Sequence, residues 1–415
     1  MAGADDVHDV VIVGAGIAGS ALATVLARAG LNVLLLEKSE AFSDHVRGEA
    51  LLQWGVKEAQ DLGLHDALIA AGAHYLGRNV GYDELQTAEM AESTPLDMAR
   101  FLPGVRGILA IGHPQHCQAL LGQAEAAGAT VRRGVDVLTL EAGAAPNVSY
   151  EAQGARFTAR ARLVAGADGR ASAVCEALGI PLNVGAPRTL LSGMLIAGAE
   201  GWDPDTWTLG TEEDFCFAVF PQGEGRARIY GWWPVGQRKR FAGKGGLDAF
   251  LAAFQLGCCP RSAAIAAARP AGPMITFLNN ETVAESPFTE GGVLIGDAAG
   301  WTDPLSGCGL SSAYRDARIV SEILLASDDW SPAAFAPYAA ERGERLRRLR
   351  FITEIEATLT CDFEERGRAR RRQFFDRLPS EPALAAHLIA NLAGPESQPA
   401  EVYTPAHRAY VLGEA

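Results

Sequence analysis

Ten residues near the start of the chain, VIVGAGIAGS at 11–20, constrain its fold more than any others. Val10, Val11, Ile12 and Val13 are consecutive β-branched residues, the composition of a strand covered on both faces. Gly14, Gly16 and Gly19 follow with GxGxxG spacing. In such a turn the first glycine permits the tight reversal. The second lets backbone amides approach a pyrophosphate, and the third lets the helix lie close to the strand. From Ala18 onward, Leu22, Val25, Leu26 and Ala29 recur on one helical face, and Gly30 ends the helix. A second strand is predicted over 32–36, with Glu37 at its end, where an acid accepts hydrogen bonds from an adenosine ribose. The helix N-terminus supplies positive potential for phosphates. Together these features predict a dinucleotide site. The acid disfavours the ribose phosphate of NADP, and the turn alone leaves FAD and NAD open.

The chain has 415 residues, enough for two or three domains, and 48 % of them are hydrophobic, enough for a large core. A net charge of −14 argues against nucleic-acid or anionic-membrane partners. No apolar run approaches the roughly 20 residues of a membrane span. The opening MAGADDVHD is acidic and polar, unlike a signal peptide, and seven scattered cysteines without a CxxC pair suit a reduced cytoplasmic protein. The runs ERGERLRRLR and EERGRARRRQFF interleave acids with arginines at helical spacing, which predicts solvated helical faces. Pro379, Pro382, Pro395, Pro399 and Pro405 break up the region after 345.

Two further segments pair a strand with glycines and an acid. In RLVAGADGRASAVCEALG, 163–165 reads as a strand, Gly166, Asp168 and Gly169 as a turn, and Ser172 as a helix cap. In GGVLIGDAAGWTDPLSGCGLSSAYRDA, 293–295 is a strand closed by Gly296-Asp297. A loop with Pro304, Gly307 and Gly309 then leads into a helix over 310–325, whose N-terminal amides aim at the cleft. Strands are predicted over 191–197, 215–220 and 226–232, the last two separated at Pro221-Gln222-Gly223 as in a hairpin. Phe215, Phe217, Trp232 and Trp233 there either line an aromatic pocket or pack as ordinary core. In HPQHC, His113 and His116 share a helical face, but no third or fourth ligand stands out, so no metal is expected.

The three glycine-acid segments, in this order, resemble the single-component FAD-dependent monooxygenases with the para-hydroxybenzoate hydroxylase fold, over roughly residues 8–345. The resemblance implies an α/β architecture and selects FAD over NAD. A Rossmann-like FAD-binding domain of the glutathione-reductase type would be split into 1–72, 99–184 and 276–345. An inserted antiparallel β-sheet substrate domain would take 73–98 and 185–275, and a helical C-terminal tail 346–415. Gly14, Gly16, Ala18 and Gly19 would face the pyrophosphate, and Glu37, with Lys38 beside it, the ribose. Arg47 would reach the phosphate side, Asp168-Gly169 would serve FAD and a transient nicotinamide, and Asp297 would bind the ribityl chain. Pro304, Gly307, Gly309 and Leu310 would lie beside the flavin ring.

Three positions depart from the family pattern. Gly300-Trp301 stands where histidine often follows the Gly-Asp segment, and Trp301 either covers a flavin face or packs. Pro114 occupies the place of a flavin-contacting arginine or glutamine, with Gln115 or His113 as substitutes. Cys175 replaces the arginine that usually ends the Asp-Gly segment.

The function implied is a cytoplasmic monooxygenase of secondary metabolism, monomer or homodimer. It would use NADPH or NADH and O2, through a peroxyflavin, to hydroxylate or epoxidise a small aromatic or polyketide-like compound. No second GxGxxG is present, which suits a nicotinamide that binds only transiently, and no acid–base residue is assigned. Prenyl-chain reductases share the Asp297-Ala-Ala-Gly and Pro-Leu-x-Gly-x-Gly pattern and stand second. Halogenases stand lower, since Trp232-Trp233-Pro234 lacks their WxWxIP spacing. A non-catalytic flavin-binding protein is the alternative from another class.

Overall fold

The computed structural model describes residues 6–414, except for the side chain of Asp6. Residues 1–5, within the opening read as no leader, and residue 415, the last of the expected tail, lie outside the described residues.

The strand Asp6–Val13 runs parallel to Val33–Glu37 on one side and to Ala155–Gly166 on the other. Thr130–Arg133 extends this sheet beyond Val33–Glu37, and Gly292–Leu294 beyond Ala155–Gly166, all in parallel. Val13 pairs with Gly166, and Gly166 with Leu294. All three glycine-acid turns therefore leave the sheet side by side at one carboxyl edge, where open α/β sheets bind ligands.

Strand alternation divides the core. Val10 and Ile12 pack with Leu22, Leu26, Leu120, Tyr314 and Val320 of the helices Ile17–Arg28, His113–Ala126 and Gly309–Ala326. Val11 and Val13 pack instead with Val148, Tyr150 and Val174 on the opposite face. The first helix ends at Arg28, with Gly30 at φ +89°, so Ala29 is exposed rather than part of the buried stripe.

Among the described residues the second large sheet contains Thr189–Ala197, Thr206–Glu212, Phe215–Gly223, Arg226–Pro234, Ile275–Asn279 and Arg78–Asp83, with two short edge strands. Most pairs are antiparallel, but Arg78–Asp83 pairs in parallel with Thr206–Glu212, because a long crossover connects them. His74–Leu76 joins a separate small sheet with Ile108–Ala110, and Ile275–Asn279 carries the large sheet past the expected border at 275. The hairpin reverses at Glu224-Gly225, both at positive φ, rather than at Pro221–Gly223. Pro221 stays inside its strand opposite Ala227, next to a register shift.

The C-terminal region is helical and firmly packed. Ala336–Thr360 lies against Gly309–Ala326, Glu365–Arg377 and Ala386–Ala393. The expectation of solvated arginine faces fails at Arg342, Arg345 and Arg371, which are 2–3 % exposed. Each is buried because acids from other elements meet it. Arg342 and Arg345 reach Asp316 at 3.1 and 2.5 Å, and Arg371 reaches Asp83 at 3.0 Å.

Candidate functional site

The three turns open into one cleft of about 380 Å³, which runs from the first glycine turn to the inner face of the second sheet. At the sheet edge, Gly14 has φ +100°, and a Cβ there would collide with the carbonyl of Ala167. A Cβ on Gly19 would strike the carbonyl of Gly14, so Gly19 sets the helix against the turn and does not line the cleft. Gly16 and Gly309 are different, since a Cβ on either would meet no atom within 4 Å. Both leave backbone bare beside open space, the form a pyrophosphate or a flat ring requires.

The charged groups follow from the strand ends. Glu37 accepts from Ala15 N and Ser39 N, each at 2.8 Å, one on each carboxylate oxygen, and keeps acceptor capacity toward the cleft. Asp168 accepts from the Ser172 hydroxyl at 2.5 Å and from Val174 N at 3.2 Å, so it braces the start of the short helix Ala173–Ala177, which Ser172 caps, while lining the cleft. Burial pushes its pKa up, opposed by these hydrogen bonds. Asp297 accepts from Arg170 Nε at 3.1 Å. Arg47 also lines the cleft, and no described residue accepts a hydrogen bond from its side chain. Burial lowers its pKa, with Asp297 opposing. A half-buried guanidinium without an acceptor, beside bare glycine backbone at a helix start, fits an anionic dinucleotide.

Arg47 is held by its neighbours. Val46 has φ +55°, a strained conformation for a β-branched residue. Its N–H donates to Asp44 at 2.7 Å, and its carbonyl accepts from Tyr230 at 3.2 Å. Arg228, 2 % exposed, clamps Asp44 at 2.7 Å. Beside this loop His113 lines the cleft, its pKa lowered to about 4 by burial and the nearby Arg47 and His45 charges, so it is neutral at neutral pH.

Pro304, Gly307, Gly309 and Leu310 lie together at the junction of the polar and apolar halves. Asp303 anchors this loop, accepting from Leu305 N at 2.8 Å and Asn279 at 2.7 Å. Arg342 donates to the carbonyls of Ala299 and Gly300 at 2.9 and 2.8 Å and so fixes the turn before it.

Several expected residues stand elsewhere. Lys38 and Gln115 are exposed and line no part of the cleft. His113, two residues earlier and the other substitute expected at that place, lines the cleft. Phe215, Phe217 and Trp233 face away and pack with Phe241, Phe250 and Phe254. The cause is alternation, because Cys216 pairs with Trp232 and Ala218 with Tyr230, which turns the even-numbered side chains toward the cleft. Trp232 does line it, as does Trp301, whose indole donates to Asn280 O at 2.9 Å.

Sequence reasoning missed Arg170, Trp207, Phe220, Glu356, Asn391 and Leu392, all on the cleft wall. Alternation from Trp232 through its hairpin partner would have found Phe220. The last three come from the C-terminal helices, where no local motif marks them.

A model of the FAD binding domain family matches residues 7–349. A digeranylgeranylglycerophospholipid reductase of Methanosarcina acetivorans is 27 % identical over 347 residues, 76 % of this chain and 75 % of that protein. The anhydrotetracycline hydroxylase OxyS from Streptomyces rimosus superposes with a TM-score of 0.72 at 22 % identity, over 93 % of this chain and 76 % of that one. The p-nitrophenol 4-monooxygenase PnpA of Pseudomonas putida DLL-E4 does so with a TM-score of 0.77 at 18 % identity, over 94 % and 99 %.

Proposed function

Because this chain belongs to the FAD binding domain family, an FAD-dependent oxidoreductase, we propose that it is a monooxygenase that draws on NADPH or NADH and O2 to oxidise a small aromatic or polyketide-like compound. The observation that carries this reading is the junction at Pro304–Leu310. There, amides at the start of the helix Gly309–Ala326 meet a chamber walled by Leu191, Trp207, Phe220, Tyr230, Trp232 and Phe277. FAD, once bound, supplies the two-electron redox chemistry.

The chain's own residues do the rest. The glycine-turn amides and Arg47 hold the diphosphate, and Glu37 holds the ribose. Asp297, oriented by Arg170, meets the ribityl hydroxyls. The free amides at the start of the helix Gly309–Ala326 would face the ring and favour negative charge on it. The aromatic wall excludes water and places the substrate against the ring.

A second reading is supported by the similarity to the Methanosarcina reductase, namely reduction of prenyl-type double bonds. An oxygen electrode separates the two. With FAD, NADPH or NADH and a panel of phenols, polyketides and prenyl-chain lipids, the monooxygenase takes up O2 in step with product. A reductase yields saturated product anaerobically at an unchanged rate.

A further inference from the structure

The apolar half of the cleft contains a few polar groups that nothing above uses. Glu356 projects from the long helix Ala336–Thr360 and is 7 % exposed, and no described residue donates to its carboxyl. Asn391, on the helix Ala386–Ala393, donates through Nδ2 to Ser306 O at 2.9 Å, while its Oδ1 is buried without a partner. The indole N–H groups of Trp207 and Trp232 are likewise buried and unpartnered. All four residues line the same cleft.

Unsatisfied buried polar atoms are uncommon and costly. These divide by kind. The acceptors come from the C-terminal helices and the donors from the sheet. The surrounding apolar side chains are Leu52, Phe220, Leu305 and Leu392, so a ligand in the chamber is itself largely apolar.

We propose that Glu356 and Asn391 form the specificity-determining pole of the substrate chamber. The chamber takes a flat, apolar compound that turns a hydrogen-bond donor, such as a hydroxyl, toward these two residues and a carbonyl toward the indoles of Trp207 and Trp232. This rests on the monooxygenase reading only in naming the ligand as the substrate. The C-terminal helices thus choose the substrate together with the second sheet, while the three glycine-acid turns hold the cofactor. Burial, and after it the Asp303 carboxylate, raise the Glu356 pKa to about 7, so the carboxyl rests in the chamber largely protonated below that pH and strengthens as an acceptor when it ionises.

The test uses the FAD-reconstituted protein and three matched probes: para-hydroxybenzophenone, para-methoxybenzophenone and para-benzylphenol. Binding is read from tryptophan fluorescence and the flavin spectrum. The hydroxy ketone is expected to bind at least about tenfold more tightly than its methoxy ether, the scale of one charge-assisted hydrogen bond. Glu356→Leu is expected to bring the two within about twofold, and Glu356→Gln, which keeps an acceptor, to leave an intermediate preference. Trp232→Phe is expected to narrow the gap between the hydroxy ketone and para-benzylphenol without touching the first ratio. Equal binding of hydroxy and methoxy probes, no binding of either, or an unchanged ratio in both Glu356 variants overturns the proposal. O2 uptake is measured separately. Intact selectivity without uptake refutes the monooxygenase reading and leaves this one standing.

Discussion

Gly14 and Gly16 sit two positions apart and do different work. Gly14 needs its positive φ and the space against Ala167, whereas Gly16 has an ordinary φ of −71° and open space beside it. Gly14→Ala is therefore expected to lower the melting temperature of the apo-protein. Gly16→Ala is expected to leave it nearly unchanged while weakening FAD binding by tenfold or more, about 1.4 kcal/mol. Thermal melts with and without FAD distinguish the two. Glu356 allows a pH test. Its folded pKa is raised from 4.5 to about 7, chiefly by burial. Below about pH 4.5 the carboxyl is protonated in both the folded and unfolded states. As pH rises further, the unfolded chain releases a proton that the folded chain retains, so stability falls until about pH 7. The loss is on the order of 3 kcal/mol. Glu356→Gln removes it, so the variant is expected to gain stability over the parent at about pH 8 and not at about pH 4. Denaturant melts at both pH values check this.

At the scale of elements, the central device is the clamp between two helices and the Gly-Asp turn. Asp316 is fully buried and accepts from Gly296 N at 2.9 Å as well as from Arg342 and Arg345. Burial alone would raise its pKa, but the two guanidiniums hold it below the usual carboxylate range. Asp316→Asn leaves two buried arginines short of charge and is expected to cost about 3–5 kcal/mol. Arg342→Met, which frees the carbonyls of Ala299 and Gly300, is expected to weaken FAD binding in a protein that still folds; calorimetric melts and FAD titration read the two effects. This clamp was illegible in the sequence. ERGERLRRLR carries its own acids at helical spacing, and only the tertiary structure shows that Arg342 and Arg345 turn inward to an aspartate on another helix. The second sheet was half legible. Its strands were readable from composition, but facing depends on register, and one register assigns Phe215, Phe217 and Trp233 to the far core and Trp232 to the cleft.

Over the whole molecule, the long-range order was plainest in sequence where backbone chemistry dictates it. Three glycine-acid turns must follow three strands, and parallel pairing of those strands brings the turns together at one edge. What remained hidden is the C-terminal wall. Glu356, Asn391 and Leu392 belong to no motif, and they reach the cleft only because helices 336–393 fold back over the loop at 303–308. Truncation after 345 is accordingly expected to leave an open, unstable cleft rather than a compact flavin-binding domain, with loss of cooperative melting as the readout.

The central claim is that this cleft cradles a single FAD. Apo-protein is titrated with FAD, followed by flavin fluorescence and gel filtration. The expected result is saturation at one flavin per chain, with colour that co-elutes with the protein and is lost selectively in Gly16→Ala. A folded protein that elutes colourless from excess FAD would contradict it.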